Sequence, residues 1–465
     1  MSDKNSEPLP EVDEVDFQMA CRRFTIRAMI TNDRQLPVVD EFLLRMLAII
    51  DDVPVSRLRT WFGFTVGEIQ TVLIDLERRA FVEVDGENVR LAPSGRELFR
   101  AIPEGGVPRI VEVSPLIDQV WFDLVSRNMV QRSRNRSVDY LVRLQEVPSA
   151  RELPEAFARD AFEANFRDYA RRVRRLPDAD SVNIYSISEV EGGTYGYQTL
   201  KSKLTFDARR NVVRPAFPEL GDEAVRFQKL TIAAAAAWQS LDGPEGAAAV
   251  ITDYERFTGD RRLEALLKSG STTDAWRDAI ANVTAGDGFR PTLGATYLER
   301  NMEALVNSLA SVRTSDRKAA QILWLRPSGS KWARTLRLGS SLQEMREGLR
   351  ASGYSDTATT LIMPRATPRP VRRSHRRLFD RGVLLPQGHL PPNLEVVLIE
   401  GICALIHVHV PIGGSAVSIG SLVTDTKRLE RIASRLSSAR SATWETVWQN
   451  GRDQNPASGP NRLLA

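Results

Sequence analysis

The chain has 465 residues, 42% of them hydrophobic, and a net charge of +4 from 63 basic and 59 acidic side chains. That is enough apolar material for roughly two to four domains. Two cysteines, Cys21 and Cys403, exclude a disulfide framework and a cysteine-rich zinc site, and no apolar run reaches the roughly 18 residues that span a bilayer.

The first residues are acidic (Asp3, Glu7, Glu11, Asp13, Glu14, Asp16), the opposite of a signal-peptide start, so a cytoplasmic chain with no membrane partner is expected. The basic set is 55 Arg against 8 Lys. Arginine suits phosphate contacts, although a GC-rich coding sequence produces the same bias. Residues 1–36 are expected to form an acidic tail followed by a short helix over Phe17–Met29.

The clearest pattern follows, over 37–103. Phe42, Leu43, Met46, Leu47 and Ile50 have the spacing of an amphipathic helix. Ser56 is placed to cap a second helix ending near Trp61, and Gly63 supplies positive φ at the turn. Thr65 and Glu68 form a capping-box pair for a third helix, with Ile69, Val72, Leu73 and Leu76 inward. Two short strands, Phe81–Val84 and Asn88–Leu91, flank Asp85-Gly86, a strong hairpin signal. Pro93-Ser94-Gly95 then opens a closing helix. This order resembles the bacterial winged helix-turn-helix regulator domains. The resemblance implies a recognition helix beginning after Thr65, with Gln70, Thr71, Arg78 and Arg79 as nucleic-acid contacts. Glu68, Asp75 and the Asp85-Gly86-Glu87 tip oppose phosphate contact.

Pro103–Pro108 is expected to be a linker to a mixed helical and β-hairpin middle region, 109–315. There Arg109–Val113 is expected to be a strand, 118–143 a helix, and Ala156–Arg175 an amphipathic helix with arginines outside. Val182–Ile187 and Tyr195–Phe206 are expected to form a hairpin around Gly192-Gly193, and Asp222–Gln239 an alanine-rich helix. From 316 to 445, strands at Ile322–Leu325, Thr359–Met363, Leu394–Ile399, Ala404–Val410 and Ala416–Ile419 alternate with helices at Leu342–Ala351 and Thr426–Ala439, an α/β layer domain. Residues 446–465 are expected to be a loose tail. The fold class is therefore an α+β and α/β multidomain chain.

Three arginine clusters stand out: Arg132, Arg134 and Arg136; Arg171, Arg172, Arg174 and Arg175; and a loop holding Arg365, Arg369, Arg372, Arg373, Arg376, Arg377 and Arg381. In the last, Arg372, Arg373, Arg376 and Arg377 are candidate phosphate contacts; the bland alternative is a solvated loop. All four histidines lie between His375 and His409. His407, His409 and Cys403 share one strand parity, but no carboxylate joins them at ligand spacing, so a structural role is expected, with no metal and no cofactor.

A histidine-bearing strand, a glycine turn and a strand with Gly420-Ser421 before a helix resemble the active-site layout of the phospholipase D superfamily. His407 matches its histidine, His409 stands where its lysine belongs and Gly414 where its aspartate belongs, and Gly420-Ser421 arrives one residue early. No second motif copy is present; Pro327-Ser328-Gly329-Ser330-Lys331 is a phosphate-friendly loop and no more. The departures imply a phospholipase D-like domain that has lost catalysis, with His407, His409 and Ser421 as the residual catalytic candidates. A winged helix joined to such a domain is similar to regulators of the TrmB type.

The leading expectation is a non-enzymatic, nucleic-acid-linked regulator or accessory factor, with DNA as partner and a C-terminal domain that binds a ligand or protein. The alternatives are a phospholipase D-like nuclease or phosphodiesterase component of a bacterial defence system, and a scaffold subunit whose winged helix contacts protein; protein partners and an oligomer are compatible with the sequence.

Overall fold

The computed structural model describes residues 10–100, 109–130, 137–147, 154–176, 179–207, 212–220, 227–242, 250–259, 261, 288–312, 319–386, 390–412, 415–441 and 444–450. The expected linker at 103–108, the cluster at Arg132–Arg136, the turn at Gly413-Gly414 and the tail from 451 lie outside them.

The chain opens on a 25-residue strand, β1 (Glu11–Gln35), and not on the expected acidic tail and short helix. The register against its neighbour shifts between Arg22 and Phe24, between Arg27 and Ala28 and between Met29 and Ile30. Val15 to Cys21 is buried on both faces, and alternation begins only at Phe24, Ile26 and Ala28, so the strand shows no period-2 pattern in sequence. Its carboxylates are docked: Asp16 accepts from Thr335 Oγ1 at 3.0 Å and Leu336 N at 2.6 Å, and Asp13 from the Tyr297 hydroxyl at 2.6 Å.

A compact unit follows: α1 (Val38–Ile49), β2 (Val53–Pro54), α2 (Val55–Phe62), α3 (Val66–Arg78), β3 (Val82–Asp85), β4 (Asn88–Leu91) and α4 (Pro93–Arg100). The strands form a sheet of order β2-β4-β3. Leu43, Leu47, Leu58, Ile69, Leu73 and Leu76 meet in one core with Val89 and Leu91. Gly63 ends α2 at φ +68, and Thr65 with Glu68 closes the capping box on α3. Helix α2 begins after Pro54, two residues earlier than a Ser56 cap predicts.

The next strand, β5 (Arg109–Asp123), returns along β1 in antiparallel register from Gln35↔Arg109 to Cys21↔Asp123. The compact unit is thus inserted at the end of a β1–β5 hairpin, and Glu11–Gln35 belongs to the middle region's sheet. The helix expected over 118–143 is replaced by the end of β5, β6 (Met129–Val130) and β7 (Val142–Arg143). Helices α5 (Glu155–Ala164) and α6 (Phe166–Asp168) run into a π-helical turn, Tyr169–Arg174.

Strand β8 (Val182–Asp207) is continuous through Gly192-Gly193, where a hairpin was expected. A Cβ at Gly192 would sit 2.6 Å from Arg22 Nη2, and one at Gly193 3.1 Å from the Arg23 carbonyl oxygen. The glycines mark a close approach of β1, not a reversal. Strand β9 (Val212–Ala216) completes the sheet order β6-β5-β1-β8-β9, with β7 parallel to β1. Helices α7 (Gln228–Gln239) and α8 (Val250–Thr258) follow.

The remaining elements build an eight-stranded mixed sheet: β10 (Phe289–Leu293), α9 (Glu299–Ala310), β11 (Ala319–Leu325), α10 (Arg337–Ala351), β12 (Asp356–Met363), β13 (Arg381–Leu384), β14 (Leu394–Ile399), β15 (Cys403–Ile412), β16 (Ser415–Val423), α11 (Thr426–Ser441) and β17 (Glu445–Gln449). The order is β10-β16-β15-β14-β11-β12-β13-β17, so the sheet reaches beyond 316–445 at both ends. Strands β11, β12 and β13 are parallel; α10 crosses over between the first two and the segment 364–380 between the last two. Leu305 of α9 and Met345 of α10 pack on one face with Trp324 and Val397. Tyr254 of α8 and Ile432 of α11 pack on the other with Ile406 and Val408. Among the described residues no helix is long and apolar enough to cross a membrane.

Candidate functional site

On α3, Gln70 and Thr71 are exposed, and the Thr71 hydroxyl donates to the Gly67 carbonyl at 2.9 Å. Arg78 pairs with Asp75 at 2.5 Å; Arg79 pairs with Asp75 and, at 3.4 Å, with Asp40. On the hairpin, Arg90 is paired with Glu83 at 2.7 Å. The span 37–103 holds eight arginines and eleven carboxylates, a net charge of −3. Its surface also exposes Val38, Phe42, Ile49, Trp61, Val66 and Ile74. The unit is therefore weakly anionic, with apolar side chains in solvent.

The arginine loop has the opposite character. After Pro364 a chain of tight turns runs from Arg369 to Leu378: Val371 N donates to the Pro368 carbonyl at 3.1 Å, Ser374 N to Val371 at 3.2 Å and Leu378 N to His375 at 2.9 Å. Val371, Ser374, His375 and Phe379 face inward. The loop is thus pinned to the core at regular intervals. His375 is the anchor. Its Nε2 donates to the Ala333 carbonyl at 3.2 Å, and its ring stacks on Tyr140 at 5.3 Å and packs tilted against Trp332 at 5.1 Å. Burial, with Arg326 nearby, holds its pKa well below the usual histidine value, so the wedge is neutral.

The seven arginines divide by role. Arg365 pairs with Glu445 and Arg381 donates to Thr446 Oγ1, tying the loop to β17. Arg372 donates to the Thr367 and Arg365 carbonyls at 2.9 and 3.1 Å and holds the loop's shape. Arg369, Arg373, Arg376 and Arg377 are exposed and carry no ion pair among the described residues. Of the four contacts expected here, Arg373, Arg376 and Arg377 point outward, Arg372 is structural, and Arg369 joins the exposed set.

The histidine strand is built differently from an active site. His407 is fully buried; its Nδ1 is 2.9 Å from Ser418 Oγ and its Nε2 2.7 Å from Thr292 Oγ1. Burial lowers its pKa to about 4. Both ring nitrogens are engaged, so no lone pair is offered to a substrate. Gly420 lies opposite His407, and a Cβ there would meet the Ile406 carbonyl oxygen at 1.8 Å and His407 Cδ2 at 2.6 Å. Ser421 does not join His407; its hydroxyl meets the Tyr254 hydroxyl at 2.8 Å. The loop at Ser328–Lys331 is also occupied: Ser330 N and Lys331 N both donate to the Asp242 carbonyl, at 2.9 and 3.3 Å.

His409 leads to a hub that motif spacing did not single out. Glu395 of β14 is fully buried. Its Oε2 lies 2.7 Å from His409 Nε2, while Oε1 accepts from Thr296 Oγ1 (2.7 Å), Trp324 Nε1 (2.9 Å) and Trp332 Nε1 (2.8 Å). Burial alone would raise its carboxyl, but the bonds and charge of His409, with Thr296 and Trp332, hold it at about 2. The only signal in the sequence is a single carboxylate at the head of an apolar strand, Leu394–Ile399. Among the described residues no group of three or more His, Cys, Asp or Glu side chains could hold a metal ion, and Cys403 packs in the core.

One measurable consequence follows from His407. Its depressed pKa means the folded state keeps it neutral while the unfolded chain takes up a proton below about 6.5. That stability is complete above pH 6.5 and is lost as pH falls toward 4. Urea denaturation at pH 7 and 4.5 should show about 2 kcal/mol more acid destabilisation in the wild type than in His407→Asn. Equal losses in the two would show that His407 does not contribute.

The architecture defines a mixed α/β multidomain chain with several sheets. No family model matches it, and no curated protein does. Among solved structures it is similar to TrmBL2, an archaeal chromatin protein whose structure shows a novel mode of DNA binding. The likeness has 7% identity, covers 87% of this chain and 93% of that one, and has a TM-score of 0.22, a level that carries no argument about function.

Proposed function

We propose that this chain is a non-enzymatic, nucleic-acid-linked regulator or accessory factor, and that its phosphate-contacting surface is the arginine loop. One observation carries this: four exposed arginines, without ion pairs among the described residues, stand on a segment anchored in the core through His375. Phosphate neutralisation by such groups supplies most of non-specific nucleic-acid affinity, and an anchored loop loses little entropy on binding. The order of elements over 37–100 supports a winged helix-turn-helix. The mixed sheet with His407, Gly420 and Ser421 on adjoining strands supports a phospholipase D-like domain without catalysis, because His407 is sealed between two hydroxyls.

Titration of the purified chain against labelled duplex DNA at two salt concentrations tests the proposal. Tight binding with a steep salt slope is expected. No binding at 50 mM salt would overturn it.

A second reading applies to the inserted unit. Its net charge of −3 and its exposed Phe42, Ile49, Trp61 and Ile74 favour protein contact over phosphate contact. Arg78 and Arg79 are already neutralised by Asp75 and Asp40. Arg78→Ala and Arg79→Ala should therefore change DNA affinity less than about twofold, below the effect of freeing one phosphate contact. A tenfold loss from either would return the contact to α3, with Gln70 and Thr71 beside it.

A further inference from the structure

A cleft of about 840 Å³ opens between the β1–β8 sheet, the π-helical turn and α7. It shares no lining residue with the arginine loop, the histidine strand or the inserted unit. Its floor is apolar: Met19 of β1, Leu200 of β8, and Phe227 and Leu230 at the start of α7. Ligand sites are typically clefts of this size with an apolar lining and a few converging polar groups.

The polar groups are placed by an uncommon piece of backbone. The π-helical turn Tyr169–Arg174 ends at Arg175, which takes the left-handed conformation at φ +53. Single π-turns are rare and concentrate at functional sites, and a left-handed non-glycine residue stores strain. The turn splits its four arginines. Arg171 pairs with Asp180 and Arg174 with Asp118, both away from the cleft, while Arg175 and Arg172, the latter with a partner of its own, line it. Arg175 is exposed and has no ion pair among the described residues.

Two carboxylates also face the opening, Asp168 and Glu219, and Glu219 is paired with Lys201 at 3.3 Å. Arg172, Arg175 and Lys201 set against Asp168 and Glu219 leave one positive charge in excess. On the wall, Gln198 has a buried amide oxygen, Oε1, with no hydrogen-bond partner among the described residues. A buried acceptor without a donor is costly, and a ligand hydroxyl or N–H would satisfy it.

We propose that this cleft binds an amphipathic monoanion: an aliphatic carboxylate of roughly ten carbons, its chain on Leu200 and Leu230, its carboxylate on Arg172 and Arg175, and a hydroxyl near the head donating to Gln198 Oε1. The site stands whether or not the arginine loop contacts nucleic acid.

The test is calorimetric titration of the full chain with 3-hydroxydecanoate, decanoate and 1-decanol. The hydroxy acid should bind saturably at one site per chain. Decanoate should bind about fivefold more weakly, and decanol should give no saturable heat. Gln198→Leu should abolish the difference between the two acids, and Arg172→Ala with Arg175→Ala should weaken both acids about tenfold or more. Circular dichroism melting of each variant confirms that it is folded, and Gln198→Leu carries the test alone if the arginine pair fails to fold. Absence of saturable binding by both acids, equal binding of decanol, or affinities unmoved in the folded variants would overturn the proposal.

Discussion

Glu395→Ala should lower the melting temperature by more than about 10 °C, while Glu395→Gln should cost only a few degrees. The alanine variant leaves the Thr296 hydroxyl, both indole N–H groups of Trp324 and Trp332, and His409 without an acceptor in a fully buried place. Each orphaned buried group costs about 1–3 kcal/mol, so the sum is on the order of 5 kcal/mol. In a region of this size 1 kcal/mol moves the melting point by roughly 2–4 °C. Glutamine keeps Oε1 for the three donors on that side, and its amide stays within hydrogen-bonding reach of His409 Nε2.

The pH dependence separates the two contributions. The carboxyl of Glu395 is held at about 2, below its value in the unfolded chain. Its stabilising effect is therefore complete above about pH 4.5 and disappears as pH falls toward 2. The glutamine variant should lack this acid limb. Equal melting of the wild type and Glu395→Ala at pH 7 would show that water replaces the carboxylate, and that the hub does not hold the sheet.

Why Glu395 escaped the sequence, when the capping box of α3 did not, is a question of range. Thr65 and Glu68 are three residues apart and meet through local geometry alone. Glu395 meets partners 63, 71 and 99 residues away, which only the completed sheet brings together. The same distinction explains the strands. β11, β12, β14, β15 and β16 were legible because they are short apolar runs bounded by proline, glycine or charge. β1 was not, because burial on both faces and bulges hide its alternation, and β8 was legible only as the two strands of a hairpin, Val182–Ile187 and Tyr195–Phe206, because two glycines interrupt it where Arg22 and Arg23 press against it. The β1–β5 pairing is also non-local across the inserted unit. Of the candidate site, the arginines were visible by composition, but their division was not. Arg372 and Arg377 look alike in sequence, and only the carbonyls of Thr367 and Arg365 show that Arg372 is spent on the loop itself.

That division yields the second large effect. Combined Arg369→Ala, Arg373→Ala, Arg376→Ala and Arg377→Ala should leave stability within about 1 kcal/mol of the wild type, since exposed groups away from special features contribute little. It should sharply weaken DNA binding. Each phosphate neutralised adds about 0.9 to the slope of log affinity against log salt. Four contacts give a slope near −3.6, or about a 150-fold loss between 50 and 200 mM salt. The variant should show a slope shallower by about 3 to 4 and at least a hundredfold weaker binding at 50 mM salt. Arg372→Ala should behave in the reverse order, because it releases the turns that present the other four. Its slope should change by less than one unit per group removed, while proteolysis within 365–377 accelerates. Phosphate contacts carry no sequence information, so the losses should be the same on unrelated duplexes. A loss confined to one sequence would mean that these arginines read base edges, and an unchanged slope would move the basic surface elsewhere on the chain.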